Sequence, residues 1–208
     1  MPQRERVKLT VNRSKKTGRI IMSAGVLFVI AAFALAFYNG FSEKKAGQES
    51  AEVLSILDME NVTADSENIA DYLVDPYMSM VKKEVGGKEY VGEITIPSLD
   101  MKLPVIACWS AENSKVAPCV YEGSPYLDNM IIAGHNYKTH FGPIDNLRRG
   151  DSVIFKDMDG NIFEYEVIYT EMIDGSDTAA MSDGEWDLTL FTCNYSGTSR
   201  ITVRCKRV

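Results

Sequence analysis

The chain divides at about residue 40 into two parts with different hydrophobic patterns. Residues 20–38 read IIMSAGVLFVIAAFALAFY, nineteen residues without a charge, proline, asparagine or glutamine. One helix of about 20 apolar residues spans the hydrocarbon core of a bilayer. A helix buried in a soluble core usually keeps a polar stripe, and this run shows none. The pattern therefore predicts a transmembrane helix over residues 20–39.

Charges before this run predict its orientation. Residues 1–19 carry seven Lys/Arg and one Glu, whereas the whole chain has a formal net charge of -7. Basic segments flank transmembrane helices on the cytoplasmic side, so we expect residues 1–19 inside and the rest of the chain outside the cell. The apolar run beside the basic segment argues against a nucleic-acid-binding arm. A cleaved signal peptide is the alternative, but its apolar core runs to only about 7–15 residues.

From about residue 86 onward, short apolar segments alternate with turns. The segment 162–170 shows the alternation of a half-buried strand, with Phe163, Tyr165, Val167 and Tyr169 on one face. About eight such strands with little helix predict an all-β domain over residues 88–208, as a closed barrel or a sandwich. The predicted strands cover 90–97, 101–107, 129–133, 152–155, 162–170, 186–193 and 200–206.

The segment 40–87 between the apolar run and the β domain is polar and acidic in its second half. Residues 49–60 place apolar side chains at positions that suit a short helix. The segment is predicted to be a stalk that holds the domain off the membrane. A short helix that packs on the domain remains an alternative for its first half.

Three residues at strand ends suggest nucleophilic catalysis. His135 follows the apolar strand 129–133, Cys193 ends a strand, and Arg200 begins the next strand after a six-residue loop. A cysteine nucleophile acts as its thiolate, and a histidine partner exchanges the proton. An arginine beside them can stabilise the oxyanion formed when a carbonyl is attacked. Arg204 shares a face with Arg200 and is a second candidate for that role.

The segments that carry these residues resemble the sortase family. Sortases typically show T-L-x-T-C, matched by Thr189–Cys193, and a catalytic G-H pair, matched by Gly134 and His135. Their arginine lies on the strand after the cysteine, as in Arg200–Arg204. The strand Gly92–Pro97 also fits the family pattern G-x-[IL]-x-I-P. The resemblance covers about residues 88–208.

This resemblance implies an eight-stranded β-barrel and a transpeptidase reaction. Cys193 is expected to attack the Thr–Gly amide of an LPxTG-like sorting signal on a surface protein. His135 would act as general acid for the leaving amine and then as base for the incoming one, and Arg200 would hold the carbonyl or its oxyanion. The acceptor would be an amine of a peptidoglycan precursor or of a pilin-like subunit. The sortase class is left open.

Two other functions fit the same residues. A cell-surface cysteine peptidase would hand the acyl group to water and would need the same side chains. A membrane-tethered β module that only binds a partner would instead have a buried, inert Cys193, with His135 and Arg200 away from it.

The other three cysteines and an acidic hairpin are expected to have structural roles. Cys108 and Cys119 flank a ten-residue loop and either form a disulfide or remain independent thiols. Cys205 shares the parity of Ile201 and Val203 and is predicted to face the core. No cofactor is predicted. The resemblance makes a calcium site possible, but a solvated acidic hairpin is the expectation for the four residues Asp157, Asp159, Glu164 and Glu166.

Overall fold

The computed structural model describes residues 3–59, 61–64 and 69–208, with side chains described from residue 17 onward. Most of the basic segment 1–19 therefore lies outside the described side chains. The chain forms two compact units, which divide between Ser42 and Glu43.

The first unit consists of one helix. Helix α1 (Gln3–Leu57) begins there and continues into the second unit. Its most apolar 18-residue window has a mean hydropathy of 2.6, and no residue of that window is buried. By length and composition this helix can cross a membrane, which agrees with the anchor predicted over residues 20–39.

The second unit begins with the last turns of α1. Ala46, Ser50, Val53 and Leu57 are buried and recur every three or four residues, so they form one stripe along the helix. Val53 and Leu57 join an apolar cluster with Tyr90, Ile106 and Cys119 of the β domain. This half of the predicted stalk is therefore a helix that packs on the domain.

In the described residues, nine strands and two short α-helices follow α1. The strands are β1 (Lys83–Val85), β2 (Lys88–Ile96), β3 (Met101–Ile106), β4 (Cys119–Glu122), β5 (Met130–Ala133), β6 (Ser152–Asp157), β7 (Ile162–Asp174), β8 (Leu188–Cys193) and β9 (Ser199–Arg207). The helices are α2 (Asp71–Val74) and α3 (Ala179–Ser182). A 3-10 helix covers Gly142–Asn146.

The strands close into a barrel. Their order is β1-β2-β3-β4-β5-β8-β9-β7-β6, and β6 also pairs with β2. Eight strands, β2 to β9, therefore form a closed ring, and β1 is added beside β2. The pairs β3–β4 and β5–β8 are parallel, and the other pairs are antiparallel. The predicted eight-stranded β-barrel is confirmed, and the sandwich is not what the chain forms.

The barrel interior is filled by alternate residues of the strands. Phe163, Tyr165 and Val167 of β7 belong to the main core, as predicted from their spacing. Tyr169 was expected on the same face, and that prediction is wrong because a β-bulge interrupts the register between Val167 and Tyr169. Tyr169 is 41% exposed as a result.

The hairpin between β6 and β7 is built around one buried carboxylate. Asp157 is fully buried and accepts hydrogen bonds from the backbone of Asp159 and from both the backbone and side chain of Asn161. The hydroxyl of Tyr126 donates a further bond of 2.9 Å. The expectation of a solvated acidic hairpin is therefore wrong for Asp157, which organises the turn instead.

Candidate active site

The parallel pairing of β5 with β8 brings the histidine and the cysteine to one end of the barrel. Ala133 pairs with Phe191, so the strands end in the same direction and at the same height. The backbone N–H of Gly134 donates to the Phe191 carbonyl at 3.0 Å. The hydroxyl of Thr192 donates to the Gly134 carbonyl at 2.8 Å. His135 and Cys193 each come one residue after these contacts.

Arg200 enters the site from the next strand. Cys193 pairs directly with Arg200 across the antiparallel pair β8–β9. Directly paired residues of neighbouring strands project from the same face of a sheet. Leu190 lies three positions from Cys193, and Val203 lies three positions from Arg200, so both project from the opposite face of the sheet. Because Leu190 and Val203 belong to the barrel core, Cys193 and Arg200 lie on the outer face. The Cys193 side chain is exposed and Arg200 is half-buried.

The two arginines of β9 have different surroundings. The Nη1 atom of Arg200 donates only long bonds, to the carbonyls of Gly197 at 3.2 Å and Ser199 at 3.4 Å. Arg204 is only 2% exposed, and its guanidinium is surrounded by hydrogen-bond acceptors. Its guanidinium donates to Ala180, Met181, Thr189 and Glu171. Arg204 therefore holds α3 on the barrel through these hydrogen bonds. Because its donors are used there, Arg204 is not available to bind a substrate carbonyl.

His135 is held as a half-buried, neutral imidazole. Its ring stacks on Tyr137 with centroids 3.9 Å apart and planes inclined by 21°. Burial lowers its pKa, the charge of Lys115 lowers it further, and a side-chain hydrogen bond with Asn136 acts in the opposite direction. Within the described part of the chain its buried Nδ1 atom makes no hydrogen bond, so one ring nitrogen is not committed to the protein.

A groove of about 300 Å³ opens beside Cys193. Its wall combines Cys193 with polar side chains from the loops after β5 and β8. These are Asn136, Lys138, Asp145, Asn146, Asn194 and Tyr195. On the same outer face, the rings of Phe191 and Tyr121 pack edge to face with their centroids 5.3 Å apart. The rings of Tyr121 and Trp109 pack in the same way with their centroids 5.8 Å apart. Cys193 therefore lies next to both a polar groove and a row of aromatic rings.

The second histidine has a structural position. His140 is fully buried, and its Nε2 atom lies 3.3 Å from the hydroxyl of Ser50. The pKa of His140 is lowered to about 4, first by burial and then by the charge of His135, while a hydrogen bond to the backbone of Ala46 opposes the shift. His140 is neutral in the folded protein at any pH well above 4.

Acid is expected to destabilise the protein through His140. Its folded pKa of about 4 lies below the unfolded value of 6.5, so the unfolded chain binds the proton first. The contribution is complete above pH 6.5 and is lost as the pH falls toward 4, by about 3 kcal/mol in total. Denaturant unfolding of the wild type and of His140→Gln at pH 7.5 and 4.5 measures this difference. A stability gap between the two proteins that does not change with pH would contradict the assignment.

The remaining cysteines are free thiols. Cys119 and Cys205 are buried, and burial raises the pKa of each thiol to about 12. Cys108 is exposed and unpaired, so the structure favours independent thiols over a Cys108–Cys119 disulfide. Cys205 faces the core, as its parity predicted. Only Cys108 and Cys193 are exposed cysteines in the described residues.

Comparison with known proteins identifies the family. The Sortase domain model matches residues 94–208, which is more than half of the chain. The chain belongs to the sortase family. Sortase A of Bacillus anthracis is 23% identical over 176 residues, which cover 81% of this chain and 83% of that protein.

Solved sortases share the fold. Listeria monocytogenes sortase A superimposes with a TM-score of 0.52 at 25% identity, over 57% of this chain and 87% of that one. A Clostridium perfringens Sortase D5 transpeptidase gives a TM-score of 0.55 at 21% identity, over 80% of this chain and 98% of that one. Sortases are transpeptidases that act at the cell wall, and family membership makes this protein such an enzyme.

Sequence reasoning did not identify the groups that surround His135. Lys115 and Tyr137 lie in loops without a distinctive pattern, and Ser50 lies in the segment that was predicted to be a stalk. Each contacts or influences the His135 loop only because distant parts of the chain pack together. The signal that the sequence offered was the helical spacing of apolar residues in 49–60, which allowed a helix packed on the domain as an alternative to a stalk.

Proposed function

We propose that this sortase cleaves an LPxTG-like sorting signal through a Cys193 acyl-enzyme and transfers the protein to an amine. The observation that carries the proposal is the register of β5, β8 and β9. It puts His135 and Cys193 at the ends of paired parallel strands and Arg200 opposite Cys193. A nucleophile, a proton carrier and a cation on one face are the groups that acyl transfer from a peptide requires.

In the first half-reaction the Cys193 sulfur attacks the Thr–Gly carbonyl carbon. The imidazole of His135 is neutral because burial lowers its pKa, so it can accept the thiol proton as the C–S bond forms. The C–N bond then breaks, and His135 returns the proton to the leaving glycine amine. Arg200 stabilises the negative charge on the carbonyl oxygen between these two events.

In the second half-reaction an amine replaces the thiol. His135 accepts a proton from the incoming amine as the new C–N bond forms. The C–S bond then breaks, and His135 returns that proton to the Cys193 sulfur, which restores the thiol and the neutral imidazole. The thioester conserves the energy of the original amide, so no nucleotide is consumed. We propose no metal or organic cofactor for this chemistry.

Two surfaces beside Cys193 support the proposed substrates. The exposed rings of Trp109 and Tyr121, which pack on the buried Phe191, can contact the apolar side chains of a sorting signal. The polar groove is lined by the carboxylate of Asp145 and the amides of Asn136 and Asn146, which can accept hydrogen bonds from an amine, and also by Lys138. We propose surface proteins with an LPxTG-like signal as donors and a peptidoglycan precursor or pilin-like subunit as acceptor.

We propose a single-pass topology with the N-terminus in the cytoplasm. The basic segment 1–19 precedes the apolar helix, which can cross the bilayer and make contact with lipid. The unit Glu43–Val208 would then lie outside the cell, where sorting signals are displayed. The proposed segments are a cytoplasmic segment 1–19, a transmembrane anchor 20–39, an extension 40–87 and a catalytic barrel 88–208. Within the extension, residues 43–57 pack on the barrel.

A cysteine peptidase that transfers the acyl group to water is the second candidate. It would use the same three side chains, and the exposure of Cys193 to solvent is the observation in its favour. The same exposure argues against a module that only binds a partner, because such a module would bury an inert thiol.

The test is a ligation assay with the full-length protein in detergent micelles. A quenched LPxTG-type peptide library is offered with and without amine acceptors such as oligoglycine, in the presence and absence of EDTA. We expect cleavage at the Thr–Gly bond, a ligated product that appears only with amine, and no effect of EDTA. Cleavage to the free acid at every amine concentration would instead establish the peptidase, and EDTA-sensitive turnover would refute the cofactor-free chemistry.

A further inference from the structure

The last turns of α1 contact the loop that follows His135. The backbone N–H of Lys138 donates to the Glu43 carboxylate at 2.7 Å, and the Thr139 hydroxyl donates to the Glu43 carbonyl at 3.2 Å. Gly47 lets the helix approach closely, because a Cβ atom there would lie 3.1 Å from the Thr139 methyl carbon. The helix is therefore fitted to this loop rather than only resting on the barrel.

Ser50 joins the helix to two different loops. Its hydroxyl donates to the Val116 carbonyl at 3.0 Å, in the segment between β3 and β4. The same oxygen lies 3.3 Å from the Nε2 atom of His140, in the loop after β5. Since the hydroxyl proton is used at Val116, the imidazole of His140 is the donor in the second contact. Ser50 is 2% exposed and His140 fully buried, so water does not replace either bond.

Both loops held by Ser50 carry residues that act on His135. In the loop after β5, the backbone N–H of His140 donates to the Tyr137 carbonyl at 3.0 Å. The backbone N–H of Phe141 donates to the His135 carbonyl at 3.1 Å. Tyr137 in turn stacks on the His135 ring. In the other loop, Val116 follows Lys115, whose charge acts on His135.

We propose that the segment Glu43–Leu57 is a positioning element of the active site, with Ser50 and Glu43 as the positioning residues. Ser50 holds the loops of Lys115 and His140 in one arrangement, and Glu43 holds the loop at Lys138. Together they set the place of the His135 ring relative to Cys193. The inference rests on the proposed role of His135 in catalysis, but its structural part can be tested without any substrate.

The direct test is a titration of the two histidine rings. The chain contains only two histidines, so full-length protein labelled with ¹³C at the histidine Cε1 gives two resonances, which His140→Gln assigns. In Ser50→Ala, we expect the His135 ring to move toward water and away from Lys115, and its pKa to rise toward the ordinary value. The pKa of His135 responds to its burial, to Lys115 and to Asn136, and the charge of His135 acts in turn on His140, so the His140 titration is followed in the same spectra.

The matched control is Ser55→Ala on the same helix. Ser55 is exposed, and its hydroxyl donates to the Glu52 carbonyl within the helix and to no other group among the described residues, so both histidine titrations should be unchanged. Glu43→Ala provides a second variant in case Ser50→Ala folds poorly, because the Glu43 carboxylate lies near the surface. Glu43→Gln keeps an acceptor oxygen for the Lys138 N–H and should behave as the wild type.

The kinetic arm uses the same variants with the peptide and amine of the ligation assay. We expect Ser50→Ala and Glu43→Ala to lower kcat by about 10- to 100-fold with little change in KM, as for misplacement of a catalytic group. Folded variants whose His135 pKa equals that of the wild type would overturn the proposal and leave the helix as a tether. If the wild type cleaves no peptide at all, the proposed function fails, and the titration alone decides whether the helix positions His135.

Discussion

Replacing Cys193 by alanine is expected to abolish cleavage and ligation, with a fall in kcat/KM of at least about 10⁴-fold. The reason is that Cys193 supplies the atom that becomes acylated, and no neighbouring side chain can take over that role. In the described residues, Cys108 is the only other exposed thiol, and it lies beyond the end of β3 rather than at the β5–β8 site. The fold should be unaffected, because the Cys193 side chain is exposed.

Cys108→Ala is the matched control for this experiment. It removes one exposed thiol and should leave turnover within about twofold of the wild type, as surface substitutions usually do. Alkylation of the folded protein followed by peptide mass mapping should modify Cys193 and Cys108 and spare Cys119 and Cys205, which are buried. Retained turnover in Cys193→Ala, or an equal loss in Cys108→Ala, would refute the assignment of the nucleophile.

The two arginines of β9 are expected to respond to mutation in opposite ways. Arg204→Ala should lower the free energy of unfolding by about 3–5 kcal/mol, because it removes a buried cation from Glu171 and leaves buried carbonyls unpaired. Arg200→Ala should lower kcat/KM by about 10²- to 10³-fold, as the loss of an oxyanion donor does, with a change in stability below about 1 kcal/mol.

Denaturant unfolding and the ligation assay on both variants measure this contrast. Arg200→Lys adds a sharper control, because it keeps the positive charge but loses the planar fork of donors. Partial activity in Arg200→Lys would show that charge carries part of the effect. An Arg204→Ala protein that is fully stable but inactive would reverse the roles given to Arg200 and Arg204.

The barrel and the strand-end positions of His135, Cys193 and Arg200 are predictable from the sequence because their signals are local, whereas the catalytic roles of these residues stay predictions. Period-two alternation and strand-end positions mark where His135, Cys193 and Arg200 fall. The family resemblance carried by Thr189–Cys193 then selects a barrel over a sandwich. The structure agrees with this fold through the pairing of β6 with β2.

Other features depend on contacts between distant segments. The bulge before Tyr169 has no proline or glycine to mark it, so the alternation of β7 predicted the wrong face. The burial of Asp157 depends on Tyr126, which is 31 positions away. The packing of Ser50 against His140 spans 90 positions, and no local pattern reports such a contact.

The parallel pair β5–β8 also links the proposed chemistry to the completion of the fold. Gly134 and Thr192, which bond directly at the site, are 58 positions apart, and the strands between them find their partners elsewhere in the barrel. Closing a contact of such sequence separation costs more chain entropy than closing a hairpin does. The His135 loop and the end of β8 are brought together when β5 and β8 pair, so recovery of ligation activity during refolding is expected to report that event.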